Sequence, residues 1–214
     1  SSTQIAAIAT GSISGLLTTQ VAVLSSTQAG AFTTAEVAQL SSTQIAAVTT
    51  TAVAGVTTAQ AAVLNSTQVS GLTTSNVVAL TSAQFGAINT NAVAGLTTAQ
   101  IVAVTTTTLA GLTTAQARAL NSAQLAVVTT NDVVALTTSQ VAAVSTNSID
   151  GFTTSQAAVL SSAQLAALTT AQAFEFDTDL IAAVTTTAVV GFTTAGVRVF
   201  DTNQIGAITT TGVV

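Results

Sequence analysis

Residues 113–128 read TTAQARAL-NSAQLAVV, and the two halves are one eight-residue word spelled twice. A residue that caps helices opens each word (Thr113, Asn121), and a hydroxyl residue follows (Thr114, Ser122). Gln stands fourth (Gln116, Gln124). Apolar residues stand fifth and eighth: Ala117 and Leu120, then Leu125 and Val128. Carried outward, this register holds without insertion or deletion from Ser1 to Val214, giving 26 octads and the remainder TTTGVV at 209–214. Position 2 is Ser or Thr, and position 5 apolar, in all 27 rows, so the period belongs to the whole chain and not to one segment. Position 8 is apolar in every complete octad, from Ile8 to Ile208. A disordered tract is excluded by this aliphatic content, because disordered chains are poor in aliphatics and rich in charge.

Eight residues do not close on a regular element. A continuous α-helix would advance about 80° too far per octad, winding the apolar stripe around itself. A continuous strand would send positions 5 and 8 to opposite faces. Each octad therefore contains a bend, and a recurring bend makes a solenoid. Short helices are favoured. Position 1 carries the residue set of an N-cap in all octads but two, those opened by Ala9 and Leu17. Gln three residues later completes a capping box, as in Thr113 with Gln116, Asn121 with Gln124 and Asp201 with Gln204. Positions 5 and 8 then share one face of a single turn. A six-residue helix does not survive alone in water, so stacking holds it. A β-solenoid stays open as the alternative, since Val, Ile and Thr are abundant and β-branched. In either case positions 5 and 8 form the core, and the position-2 hydroxyl is expected to bond a backbone group where coils meet.

A second period overlies the first. Ser at position 2 marks octads 1, 4, 6, 9, 11, 16 and 21, and Gly at position 7 marks octads 2, 7, 9, 12, 14, 19 and 24. Both recur at two and a half octads or its double. A geometric reading makes the coil about 20 residues, with small residues where backbones approach closely. The other reading is duplication of a 40-residue unit.

Composition removes most chemistry. The chain has no His, Cys, Met, Trp, Tyr or Pro, and its two basic residues are both Arg. Metal sites built on Cys or His, Ser-His-Asp triads and lysine Schiff bases are therefore impossible. A net charge of −5 with two arginines offers no basic face for nucleic acid. Ser/Thr groups interrupt the chain every eight residues, so no run reaches the roughly 20 apolar residues of a spanning helix. The one acidic cluster is Glu175, Asp177 and Asp179. It lacks a calcium-loop pattern, and Asp177 at position 1 reads as a helix cap. Asn65-Ser66-Thr67 fits the glycosylation pattern, but Asn65 reads more simply as a cap. Six of the seven Phe fall at positions 5 or 8 and belong to the core; Phe174, at position 6, is the odd one. No catalytic, cofactor-binding or metal-binding residue is assigned.

LTTAQ (112–116) and LSSAQLAALTTAQ (160–172) resemble the Thr-Thr-Ala-Gln octapeptide arrays of very long bacterial surface and adhesin-like proteins. The resemblance spans the chain and implies secretion and a scaffold role. The reading is thus a single continuous octapeptide-repeat solenoid over 1–214, all-α, with about 20 residues per coil. It predicts a structural, non-enzymatic segment without cofactors: an extracellular stiff spacer or fibre-forming element. Both end rows are ordinary repeats, which suggests an excerpt of a longer array or ends that stack on other copies. The expected partners are therefore copies of itself, head-to-tail or lateral, or further repeats of the same chain. The alternative function is a binding module that presents a regular Thr array to ice or polysaccharide, which requires β-solenoid spacing.

Overall fold

The computed structural model describes residues 1–208; the remainder 209–214, with its expected core residue Val213, lies outside the described residues. Among the described residues each octad forms one short helix, and there is no strand. Each helix starts at position 2 and runs for four to six residues, as in Thr114–Ala119, Ser122–Ala126 and Thr202–Ala207. Octads 2 and 19 form 3-10 helices instead, Thr10–Gly15 and Thr146–Gly151, and neither has a side-chain cap.

The bend is made from two extended residues. Position 8 closes the helix: Leu120 has φ −63° and ψ 132°. Position 1 of the next octad follows, with Asn121 at φ −88° and ψ 169°. No described residue has a positive φ, glycines included. The turn therefore needs none of the left-handed glycines that commonly end helices, which is how a chain with 13 Gly and no Pro can bend every eight residues.

Capping follows the expected boxes. Thr113 Oγ1 accepts the Gln116 N–H at 3.2 Å while Gln116 Oε1 accepts the Thr113 N–H at 2.8 Å. Asn121 with Gln124 and Asp201 with Gln204 do the same. The hydroxyl that bonds backbone is thus the one at position 1, a correction to the expectation for position 2. Thr114 is the first helical residue and is exposed.

The core forms from positions 5 and 8 as expected: Val53, Val69, Phe85, Ile88, Leu125, Leu165 and Phe176 are at most 2% exposed. Position 4 is buried with them, and Gln60, Gln68, Gln100, Gln116 and Gln124 are no more than 2% exposed.

Contacts divide the chain into two compact units, Ser1–Leu112 and Thr113–Val214, and the division falls between two octads. In the first unit, Ser42–Ala47 packs on Ser66–Gly71, and Thr58–Ala62 on Ser82–Ala87. In the second, Thr114–Ala119 packs on Thr138–Ala143, and Ser122–Ala126 on Thr146–Gly151. Every one of these partners is three octads away. Side-chain bonds between coils reach four octads, spanning 28 and 31 residues. One coil is therefore about three and a half octads, or about 28 residues. This corrects the expected 20. The Ser and Gly recurrences therefore do not measure the coil.

Candidate functional site: the ladder between coils

The chemistry of this chain is concentrated where one coil meets the next. Gln at position 4 works in two directions. In Gln60, Oε1 accepts the Thr57 N–H of its own helix at 2.7 Å. Its Nε2 donates to the carbonyls of Ala29 at 3.0 Å and Phe32 at 2.6 Å, four octads back. These two are positions 5 and 8 of the earlier octad, at the carbonyl end of its helix. Helix ends leave N–H groups at one terminus and C=O groups at the other without intrahelical partners. One amide group, with two donors and an acceptor, serves both kinds at once.

The pattern recurs through both units. In the first, Gln44 reaches Ile13 and Leu16, Gln68 reaches Val37 and Leu40, and Gln84 reaches Val53 and Val56. In the second, Gln156 reaches Leu125 and Val128, and Gln164 reaches Val133 and Leu136. Shorter side chains keep the position-8 bond alone. Asn76 donates to Val48 O at 2.8 Å, Thr108 to Leu80 O at 3.0 Å and Ser148 to Leu120 O at 2.9 Å. Where Ala92 fills position 4, Asn89 at position 1 takes over. Its Oδ1 accepts the Ala92 N–H at 2.9 Å and its Nδ2 donates to Leu64 O. No buried side-chain N or O atom is without a partner among the described residues.

A second seam is steric. Every position-7 glycine from Gly55 onward faces the position-2 serine three octads back. The pairs are Gly55 with Ser26, Gly71 with Ser42, Gly95 with Ser66, Gly111 with Ser82, Gly151 with Ser122 and Gly191 with Ser162. A Cβ on Gly71 would stand 2.7 Å from the Ser42 carbonyl oxygen and 2.9 Å from its Cβ, well inside ordinary contact. The missing methyl lets the two backbones touch, and the Cα–H of glycine points at the serine carbonyl. Position 2 is therefore at the coil junction, as expected, but acts there through its size. Six of the seven members of each column are one set displaced by three octads; Ser2 is followed there by Ala31, and Gly15 has no octad three back. Thr at position 2 is followed three octads on by Ala, Val, Glu or Gln at position 7, and never by Gly.

The remaining candidates separate. Asp177 caps Thr178–Ala183, accepting the Leu180 N–H at 2.8 Å. No group of three acidic side chains close enough to hold a metal occurs among the described residues. Asn65 caps Ser66–Gly71 through Oδ1, which accepts the Gln68 N–H at 2.9 Å. In the second unit Phe152, Phe176, Phe192 and Phe200 form a run of rings with centroids 5.2–6.1 Å apart, while Phe174 is 52% exposed. No described helix is long and apolar enough to cross a membrane.

Residues 133–170 match the family model of the ALTTAQ repeat. The matched segment lies within the second unit and carries the same ladder as the rest: Gln156 and Gln164 lie in it. This segment is thus similar to the TTAQ-type repeat, and each unit is folded as an all-helical repeat solenoid. No curated protein and no solved structure matches the chain.

Proposed function

We propose that this chain is an extracellular structural segment, a stiff spacer or fibre-forming stretch of a bacterial surface protein, and not an enzyme. The observation that carries this is the sameness of the joint. Within each unit most coils are fastened to the one before by the same kind of amide bond, and in six places by a glycine–serine contact, so coils can be added without any new chemistry. His, Cys and Lys, on which much acid–base, nucleophilic and metal chemistry relies, are absent from the sequence. Self-association is part of the reading. Val78, Val102, Val134, Phe174 and Val190 all stand at position 6 and are 48–71% exposed. Charged residues, 4% of the chain, offer little repulsion against lateral contact. Binding of ice or polysaccharide by a flat Thr array would need strands, which the described residues lack.

The test is hydrodynamic. Small-angle scattering on chains lengthened by seven octads at a time, which is two whole coils, should give a maximum dimension rising by one constant step per addition. Sedimentation should show larger species as concentration increases. A dimension that stays constant as coils are added would refute the spacer, and a single monomeric species at all concentrations would refute the self-association.

A further inference from the structure

We infer that the core of the first unit, Ser1–Leu112, holds a dry site for one small apolar solute, of the size of a xenon atom or a two- to three-carbon hydrocarbon. The observation is a partly open void of about 70 Å3 in this core. Ala29, Phe32, Val53, Ala61 and Leu64 line it, and Gln60 is its one polar lining residue.

Its origin is visible in the repeat. Position 5 is the main core position, filled in this region by Val21, Val37, Ile45 and Val53. In octads 4 and 8 the same position holds Ala29 and Ala61, both buried. Each alanine lacks the methyl groups its neighbours project, and the missing volume opens onto the same space.

Its contents follow from polarity and size. A buried water needs two to four hydrogen-bond partners. The Gln60 amide is committed: Oε1 to the Thr57 N–H, Nε2 to the carbonyls of Ala29 and Phe32. With no other polar side chain in the wall, the void offers water nothing, and apolar cavities of this kind stay dry and take apolar guests. The void exceeds several times the roughly 10–15 Å3 one water occupies, and is about half the ~150 Å3 that admits benzene. The guest is therefore smaller than an aromatic ring.

Methyl-resolved NMR of the full chain under xenon pressure tests this. The expected result is a saturable shift of the Ala29, Val53 and Ala61 methyls, with no shift from benzene. Ala61→Val should abolish the xenon response while melting at or above the parent temperature, because the added methyls fill empty space. Ala29→Val is the companion variant should the first fail to fold. The inference is overturned by a parent chain with no saturable shift, by water cross-peaks to these methyls, by a benzene shift at the same residues, or by a xenon response that survives the filling. It is overturned equally if both variants melt below the parent, since no void would then be there to fill.

Discussion

Replacing Gly95 by Ala isolates the glycine–serine seam. A Cβ at this position would lie 2.5 Å from the Ser66 carbonyl oxygen, 2.6 Å from its Cβ and 2.7 Å from its Cα. Carbon atoms rest about 3.5–4.0 Å apart, so the two coils would have to part by about 1 Å. Two of the three obstacles are backbone atoms of the first residue of Ser66–Gly71, and the capping box of Asn65 and Gln68 holds that backbone in place. Overpacking of this kind costs about 1–3 kcal/mol, and a clash with fixed backbone belongs at the upper end. Against it stands the stiffening of the unfolded chain, which favours Ala over Gly by about 0.4–1 kcal/mol where φ permits; here it does, since no described glycine has a positive φ. The net is a loss of about 2 kcal/mol, or a melting temperature lower by roughly 4–8 °C for a chain of this size. Thermal unfolding followed by far-ultraviolet circular dichroism reads it. Gly206, within Thr202–Ala207, has nothing within 4 Å of its Cβ site. Gly206→Ala should therefore raise the melting temperature by the entropic gain alone. Adding Ser66→Gly to Gly95→Ala should recover only part of the loss, because the oxygen and Cα of residue 66 remain. A Gly95→Ala chain as stable as the parent would refute close backbone contact as the reason for glycine at position 7.

The other seam and the core give further expectations for denaturant unfolding. Gln100→Ala removes the donors to Val69 O at 2.9 Å and Leu72 O at 2.6 Å and the acceptor of the Thr97 N–H; with buried groups orphaned at about 1–3 kcal/mol each, the loss should be about 3 kcal/mol. Gln100→Glu keeps the acceptor but places a buried carboxylate against carbonyl oxygens, which raises its pKa in the folded chain; this variant should be closer to the parent in acid and lose stability as pH rises through that value. Thr113→Ala should cost about 1 kcal/mol through the lost cap, whereas Thr114→Val, at an exposed first helical position, should stay within about 0.5 kcal/mol; the reverse order would return the backbone bond to position 2. Phe176→Ala should cost about 3–5 kcal/mol because the ring is fully buried between Phe152 and Phe192, and Phe174→Ala, half exposed, should change little.

The octad, its helix, its caps and its core could be read from residues because each is local: Thr113 and Gln116 are three apart, and Ala117 and Leu120 share one turn. The coil could not be read the same way. Its length is set by which octads touch, and the Ser and Gly columns were informative only when compared with each other. Spacing within a column gives two and a half octads; the displacement between columns gives three, and the contacts follow the displacement. The second role of Gln also left a trace. A capping box accepts Glu as readily as Gln, yet position 4 holds Gln fifteen times and Glu once, at Glu36. A carboxylate only accepts, so this bias points to an amide hydrogen in use. What gave no local signal was the acceptor, because Leu72 O lies 28 residues before Gln100.

With three and a half octads to the coil, an octad within either unit meets the octads three and four before it in that unit, as residues do in an α-helix with 3.6 to the turn. The two neighbours are met by different parts of the word. Position 7 falls on position 2 of the octad three back, where size decides the fit. Position 4 falls on positions 5 and 8 of the octad four back, where hydrogen bonding decides it. The positive N-terminal end of one helix is thereby set against the negative C-terminal end of another, with a neutral amide joining them. Orphaned groups of both kinds, an N–H of one helix and carbonyls of another, are satisfied by the same side chain. That is how helices of four to six residues, too short to persist singly, are held in a chain with almost no charge to pair. It also makes the pairing rule a property of offsets rather than of single columns: enlarging position 7 demands a change at position 2 three octads earlier, and where position 4 lacks an amide another donor can serve, as Asn89 does beside Ala92.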